Sequence, residues 1–284
     1  MKIWSDVEYV YRCLADVERT EAFRDAIGAA VKPGDVVLDL GSGSGIMALL
    51  AIRAGAERVV SVEVGPYLSR ISRQVFDDSG HGDKITSIRA DARKLDLSIV
   101  PKPDVVICEM ITTALIGELQ GPVFRSLRRA GIIDDSTRVI PGALSTSVTL
   151  VHADFKHYGI ELHFPMFVDY FARTFDHRFE PLSQPELVHT VDFSKEFTDE
   201  IRVDTQVRVA NDGRINGILL TSATDFVGGG KLGSCVSYCQ PVIIPIRPEM
   251  DVRRGDMMTV TLRYRMGGGF DALKHTVQRA DNAS

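Results

Sequence analysis

Cysteine is scarce in this chain of 284 residues, which has only Cys13, Cys108, Cys235 and Cys239. So few thiols in a chain of this length exclude a disulfide scaffold. Cys235 and Cys239 have no second Cys/His pair at ligand spacing, so no metal is expected. Basic charge is not in excess either. Lys and Arg number 33 against 38 Asp and Glu, for a net charge of −5. A phosphate-binding face needs the opposite balance, so nucleic acid is not an expected partner. No stretch approaches the ~20 apolar residues of a membrane-spanning helix. The segment Met1–Asp6 has no apolar run of the kind that opens a signal peptide. These absences predict a soluble, cytoplasmic protein that does not engage membranes. Internal repeats and low-complexity tracts are also missing.

What is present is an ordinary globular composition, 44% hydrophobic and 25% charged. The length suits two units of roughly 150 residues each, and the texture of the sequence divides near residue 142. Before it, strand-like and helix-like segments alternate. Val36–Leu40, Arg58–Glu63, Lys84–Ala90 and Val105–Glu109 read as strands; Ile46–Ala54, Tyr67–Asp78 and Thr113–Ala130 read as helices. Such alternation predicts a parallel sheet with helices on both faces. After Pro141-Gly142, strands dominate: Thr146–His152, Thr205–Ala210, Ile215–Thr221, Val236–Ile246 and Met257–Tyr264. Asn211-Asp212-Gly213 predicts a hairpin between two of them. The expected architecture is therefore a Rossmann-like α/β domain over 1–142 and an all-β barrel or sandwich over 143–284. The aromatic-rich stretch 155–197, without clear period, is expected to be an insertion or arm.

The strongest local motif is Val37-Leu38-Asp39-Leu40-Gly41-Ser42-Gly43-Ser44-Gly45, which follows a strand and opens a helix. Gly41, Gly43 and Gly45 let the chain turn sharply and let backbone N–H groups approach a ligand. A dinucleotide fingerprint calls for Gly or Ala at its third position, where this chain has Ile46. That disfavours a nicotinamide oxidoreductase. Asp39 can organise the loop and meet a ligand ammonium. Glu63 ends the second strand, where a carboxylate can accept both hydroxyls of a ribose. Asp91, with Ala92 beside it, follows the third strand and can meet an adenine amino group. Glu109 and Glu118 bracket a loop after the fourth strand. Together they can grip a guanidinium or ammonium by charge-assisted hydrogen bonds.

These residues, in this order, resemble the protein arginine methyltransferases, a class I S-adenosylmethionine-dependent family. The glycine motif with its preceding Asp39, the ribose acid Glu63, and the glutamate pair Glu109 and Glu118 all match. Leu14–Thr20 resembles the family's N-terminal helix, and Arg138–Leu150 its crossover into a β-barrel. The resemblance implies S-adenosylmethionine as cofactor, with Arg19 on its carboxylate and Glu109 and Glu118 as the catalytic pair. It implies an acceptor pocket built from Cys13, Met110, Ser237 and Tyr238. It also implies a homodimer formed through an arm around Met166–Phe179. The acceptor half departs from the family. Val236-Ser237-Tyr238 stands where the family has Thr-His-Trp, Cys13 replaces a methionine, and Tyr9 and Tyr11 are a remnant of a tyrosine-rich covering helix. Asp91 serves in place of an acid that aligns with Arg93. The altered acceptor half favours a small-molecule acceptor of guanidine, amine or indole type, methylated on nitrogen or carbon. An arginine-containing peptide is the alternative, and a non-catalytic cofactor-binding scaffold the remote one.

Overall fold

A computed structural model describes residues 6–95, 100–168 and 179–280. The first half opens with two helices, α1 (Val7–Ala15) and α2 (Val17–Ala30), broken at Asp16. Strands β1 (Val36–Leu40), β2 (Arg58–Glu63), β3 (Ile85–Arg89), β4 (Val105–Cys108) and β5 (Arg138–Ile140) form one parallel sheet in the order β3-β2-β1-β4-β5. Strands covered on both faces read as continuous apolar runs, and β4, Val105-Val106-Ile107-Cys108, is buried throughout. Helices α3 (Ile46–Arg53), α4 (Pro66–Asp78) and α5 (Gln120–Arg129) connect the strands. The order reverses at β1, so the crevice between the ends of β1 and β4 is where a doubly wound sheet binds its ligand.

One expectation of helix fails here. Helix α5 begins at Gln120, not at Thr113. Residues 113–115 form a single 3₁₀ turn in which Ala114 and Leu115 are left-handed, with φ of 56° and 57°. The Thr112 hydroxyl accepts the Gly117 and Glu118 amides at 2.8 and 3.3 Å, and so captures donors a helix would have used.

The second half is all β. Its strands are β6 (Ala143–Ala153), β7 (Lys156–His157), β8 (Ile160–Glu161), β9 (Met166–Phe167), β10 (Phe179–Pro181), β11 (Glu186–Asp192), β12 (Glu200–Arg208), β13 (Gly213–Asp225), β14 (Lys231–Leu232), β15 (Val242–Val252), β16 (Met257–Arg265) and β17 (Lys274–Arg279). A large antiparallel sheet runs β10-β6-β13-β15-β9, with β11 also on β6, and a second runs β12-β16-β17. The expected hairpin at Asn211-Asp212-Gly213 is instead a corner between sheets. Strand β12 pairs with β16, while β13 pairs with β6 and β15. Asp212 is occupied by the Arg254 amide at 2.7 Å. Strand β15 starts at Val242, and the segment before it is a loop closed by a Cys235–Tyr238 bridge. The arm expected near 166–179 lies mostly outside the described residues. Its described flank exposes Tyr158, Ile160, Leu162, Phe164 and Phe167.

The two halves share one core. Phe23 of α2 meets Phe226 and Tyr238 edge-on, with centroids at 5.0 and 6.1 Å. Asp199 receives Arg125 from α5 and Arg265 from β16.

Gly45 shows how tightly this scaffold is fitted. It caps α3 with φ of 83°, and a Cβ there would stand 2.6 Å from the buried Phe76 ring. A left-handed position plus an overpacked core predicts that Gly45→Ala costs about 2–4 kcal/mol. Urea unfolding at constant m-value measures this, and a loss below about 0.5 kcal/mol, the scale of ordinary surface changes, would refute it.

Candidate active site

An open cleft crosses the C-terminal rim of the parallel sheet, with about 1060 Å³ of non-atom space, mouth included. Four strand ends supply its floor: Asp39–Gly43 after β1, Glu63 and Val64 after β2, Ala90–Ala92 after β3, and Glu109 and Met110 after β4. Helix α1 closes one side with Tyr9, Val10, Cys13 and Leu14, two pairs at i,i+4 spacing on one face. Glu118 and Leu119 complete the lining from the far end of the glutamate loop.

The glycine turn is built by its neighbours. The Glu63 carboxylate accepts the Gly43 amide at 3.0 Å and the Gly65 amide at 2.6 Å. It therefore braces the turn and still has lone pairs facing the cleft. A Cβ on Gly41 would meet Met110 at 3.1 Å, and one on Gly43 would meet Val10 at 3.2 Å, so bare backbone lines the floor. Asp39 is 2% exposed and its Oδ2 has no hydrogen-bond partner. Burial pushes this carboxyl up to about 7, Ser42 pulls it down and Glu63 raises it further. A buried, unpartnered carboxylate calls for a cationic donor. Orphaned Asp39, the bare backbone of Gly41 and Gly43, and the ribose-type acid Glu63 together fit S-adenosylmethionine.

Arg19 lies between this region and the glutamates. Its guanidinium donates from Nη1 to the Cys13 carbonyl at 3.0 Å and from Nη2 to Glu109 Oε2. It sits 5.5 Å from the Phe23 ring centroid, and its Nε has no partner. Burial disfavours the charge, but Glu109 outweighs burial and holds the guanidinium protonated. Glu118 is 5% exposed and its Oε2 has no partner. Burial first, and Glu109 second, raise its carboxyl well above the ordinary range, against a lowering by Arg19. Cys13 is pushed up to about 11, first by burial and then by Glu109, so it is a thiol and not a nucleophile.

Of the residues singled out in the sequence, the cleft gathers Arg19, Asp39, Gly41, Gly43, Glu63, Asp91, Ala92, Glu109, Glu118, Cys13 and Met110. Three fall outside its lining. Gly45 faces Phe76 and Ser72. Tyr238 is fully buried, and its hydroxyl donates to Thr224 Oγ1 at 3.2 Å, so it does not wall the acceptor end. Ser237 anchors Asp16 instead. Asp16 Oδ2 accepts the Ser237 amide at 2.7 Å, the Ser237 hydroxyl at 2.9 Å and the Cys235 thiol at 3.1 Å. Asp16 Oδ1 accepts the Arg19 amide at 3.3 Å and so caps α2. Asp91 is in the cleft with both oxygens engaged by Arg93, at 3.0 and 2.5 Å.

Sequence reasoning missed Val10, Leu14 and Leu119 in the lining, and it gave Tyr9 and Tyr11 equal weight. Tyr9 lines the cleft, whereas Tyr11 is 66% exposed. The i,i+4 spacing of Tyr9 with Cys13 is the signal that separates them. Burial, then Glu118 and Glu109, drive the Tyr9 phenol well above its ordinary range, so it stays protonated beside both carboxylates.

Comparison with known proteins bears on this site. The family model for ribosomal protein L11 methyltransferase matches residues 13–157. A 28% identical, uncharacterized protein of Methanocaldococcus jannaschii aligns over 94% of this chain and 95% of its own length. An arginine N(omega)-methyltransferase of Streptomyces achromogenes subsp. streptozoticus is 36% identical over 51% of this chain and 40% of its own. Among solved structures, the protein arginine methyltransferase 1 enzyme–prozyme heterotetramer of Trypanosoma brucei with S-adenosylhomocysteine superposes with a TM-score of 0.76. It is 17% identical, covers 98% of both chains, and establishes the fold.

The Asp39 carboxyl titrates near neutrality, which sets the sign of a ligand effect. A ligand ammonium beside Asp39 favours the ionised form, so binding releases a proton. The affinity for S-adenosylmethionine should therefore weaken as pH falls below about 7, by at most about tenfold per unit. Asp39→Asn should weaken binding at pH 8 and flatten the pH dependence. Titration calorimetry at pH 6 and 8 checks this, and a pH-independent wild-type affinity would refute it.

Proposed function

This chain belongs to the class I S-adenosylmethionine-dependent methyltransferases, of protein arginine methyltransferase-like type, and on that premise we propose that it methylates a guanidino nitrogen of a small, arginine-like molecule. One observation carries the reading. Glu118 Oε2 is buried without a partner beside Glu109, and Glu109 already holds a guanidinium, that of Arg19. The Arg19–Glu109 pair supports a site suited to guanidinium geometry, and Glu118 is left to be satisfied. A guanidinium, with its fork of N–H donors, can bridge Glu118 and the Glu109 oxygen that Arg19 does not take, whereas an indole N–H supplies a single donor. The arginine N(omega)-methyltransferase relative supports the same acceptor chemistry. The ribosomal protein L11 methyltransferase match adds nothing about the acceptor, because it ends at residue 157 and spans mainly the cofactor half.

S-adenosylmethionine, when bound, supplies an electrophilic methyl group carried on a sulfonium. Glu109 and Glu118 hold the guanidinium by charge-assisted N–H bonds and draw its positive charge toward the nitrogens that do not react. The remaining nitrogen keeps its lone pair. As that nitrogen takes the methyl it gains positive charge, which fixed carboxylates offset without reorganising. Its N–H proton then passes to a carboxylate. Glu118, whose carboxyl burial raises well above the ordinary range, is the natural recipient. Tyr9 and Leu14 line the cleft beside the glutamates. Arg19 and Asp39 are the residues we assign to the cofactor's carboxylate and ammonium.

The deciding experiment is release of S-adenosylhomocysteine from purified protein supplied with S-adenosylmethionine. L-arginine, other guanidines, amines, tryptophan derivatives and a Gly/Arg-rich peptide are compared as acceptors. Turnover on L-arginine or a small guanidine supports the proposal. Turnover on the peptide alone replaces it with protein arginine methylation, and turnover on tryptophan derivatives alone overturns it. Glu118→Gln should lower kcat on the active acceptor by about 10²-fold or more, with cofactor affinity kept within a few-fold. We further propose that the chain forms a homodimer through the apolar row Tyr158, Ile160, Leu162, Phe164 and Phe167, which is exposed on one segment. Sedimentation velocity at micromolar concentration should show a dimer, and Phe164→Ser with Phe167→Ser should shift it to monomer; a monomeric wild type would overturn this.

A further inference from the structure

The loop that carries both glutamates does not hold its shape by itself. Ala114 and Leu115 are consecutive left-handed residues without being glycine, a conformation that persists only where its surroundings over-determine it. Both polar groups of the Ala114 backbone are taken by side chains from the β half. Its N–H donates to Ser222 Oγ of β13 at 2.9 Å, and its carbonyl accepts the Tyr264 hydroxyl of β16 at 2.7 Å. Ser222 is in turn 3.0 Å from Thr146 Oγ1 of β6. Tyr264 is in turn 2.9 Å from His189 Nε2 of β11.

The direction of this chain follows from donor counting. Tyr264 has one hydroxyl proton and gives it to Ala114, so His189 must donate from Nε2–H to the Tyr264 oxygen. Nδ1 of His189 is then the unprotonated nitrogen, and it is the buried one without a partner. Burial pushes His189 down to about 4, which keeps the imidazole neutral at working pH. Four residues past Ala114, the Glu118 amide is fixed by Thr112 Oγ1, and Gln120 closes the loop on Met110 with bonds of 3.1 and 3.2 Å.

We propose that Tyr264, oriented by His189, and Ser222 are positioning residues that clamp the Ala114 peptide and thereby set Glu118 against Glu109 for methyl transfer. They touch neither acceptor nor cofactor: none of them lines the cleft. Their effect on the rate passes through the placement of Glu118, where a misplacement of about 1 Å can cost about 10²-fold. Two β sheets, through Ser222 on one and Tyr264 on the other, thus take part in shaping the glutamate loop.

The test is Tyr264→Phe, which removes one oxygen and keeps the ring. Two readouts are taken on the full chain with saturating S-adenosylmethionine. Hydrogen–deuterium exchange is followed by fragment, and S-adenosylhomocysteine release is measured with L-arginine. The expected result is faster exchange, by about tenfold or more, confined to the fragment spanning 112–118. With it, kcat should fall by about 10²-fold while the affinity for S-adenosylmethionine stays within about twofold of wild type. Unchanged exchange in 112–118 overturns the proposal, and so does exchange raised evenly along β16, which would mark a merely structural role. The kinetic arm rests on the guanidino-nitrogen reading; the exchange arm does not. If wild type fails to turn over L-arginine, that reading fails, and the clamp still stands or falls on exchange at 112–118.

Discussion

Two carboxylates buried at one rim cannot both ionise unless a cation stands with them. Glu109 and Glu118 meet this constraint through Arg19, which holds Glu109 and leaves Glu118 raised and unsatisfied. Much of the surrounding architecture follows. Arg19 must be buried to reach Glu109, so it needs a rigid carrier; α2 supplies one, capped by Asp16 and packed through Phe23 into the shared core. Removing Arg19 would leave a buried anion without its counter-charge, one of the more expensive changes a protein can suffer. The same guanidinium faces the cleft, so the residue that makes the pair tolerable is also a candidate contact for a ligand carboxylate.

The glutamate loop poses the complementary problem. An eleven-residue connection between a strand and a helix would ordinarily be mobile and variable. Here it is bonded to the second half of the molecule at several points. Thr113 Oγ1 donates to the Gln240 carbonyl at 2.5 Å, and the amides of Gly267 and Gly269 donate to Leu115 and Ile116 carbonyls, both at 2.9 Å. Together with the Ser222 and Tyr264 bonds, these replace the hydrogen bonds that a helix through 113–119 would have made. These bonds hold Ala114 and Leu115 in their left-handed conformation. The β half is therefore part of what makes the acceptor site rigid, in addition to any surface it offers a partner.

How far the sequence could be read depended on where the deciding contacts lay. The parallel sheet was legible because strands buried on both faces read as unbroken apolar runs, as Val105–Cys108 does. The glycine turn and Glu63 were legible because a strand end, a turn and a helix start are all local. Thr113–Leu119 was misread because Ile116 and Leu119 extend the helical spacing of Val123 and Leu127, and the side chains that override it, Ser222 and Tyr264, are more than 100 residues away. The hairpin at Asn211-Asp212-Gly213 failed for the same reason. Its turn chemistry was right, but β16 and β6 outcompeted the neighbouring strand for pairing. Tyr9 was separable from Tyr11 only by its i,i+4 spacing with Cys13, which places the two on the cleft face of α1.

The departure at Ser237 has a sharper lesson. An absent histidine in an altered Val236-Ser237-Tyr238 segment suggests a lost function at the acceptor end. The geometry shows a substitution of means. Asp16 keeps three donors from this segment, two of them from Ser237, and it keeps α2 capped with Arg19 one turn further on. What is held is the junction of α1 and α2, and with it both Tyr9 over the cleft and Arg19 beneath it. A serine hydroxyl and a backbone amide reach Asp16 without an imidazole's bulk or its titration near neutrality. The tie between the halves is therefore independent of pH across the range where a histidine would switch. Tyr238, freed from walling the cleft, is fully buried against Phe23. Among the described residues, α1, Met110, Leu119 and the glutamates line this part of the cleft, and Tyr238 does not.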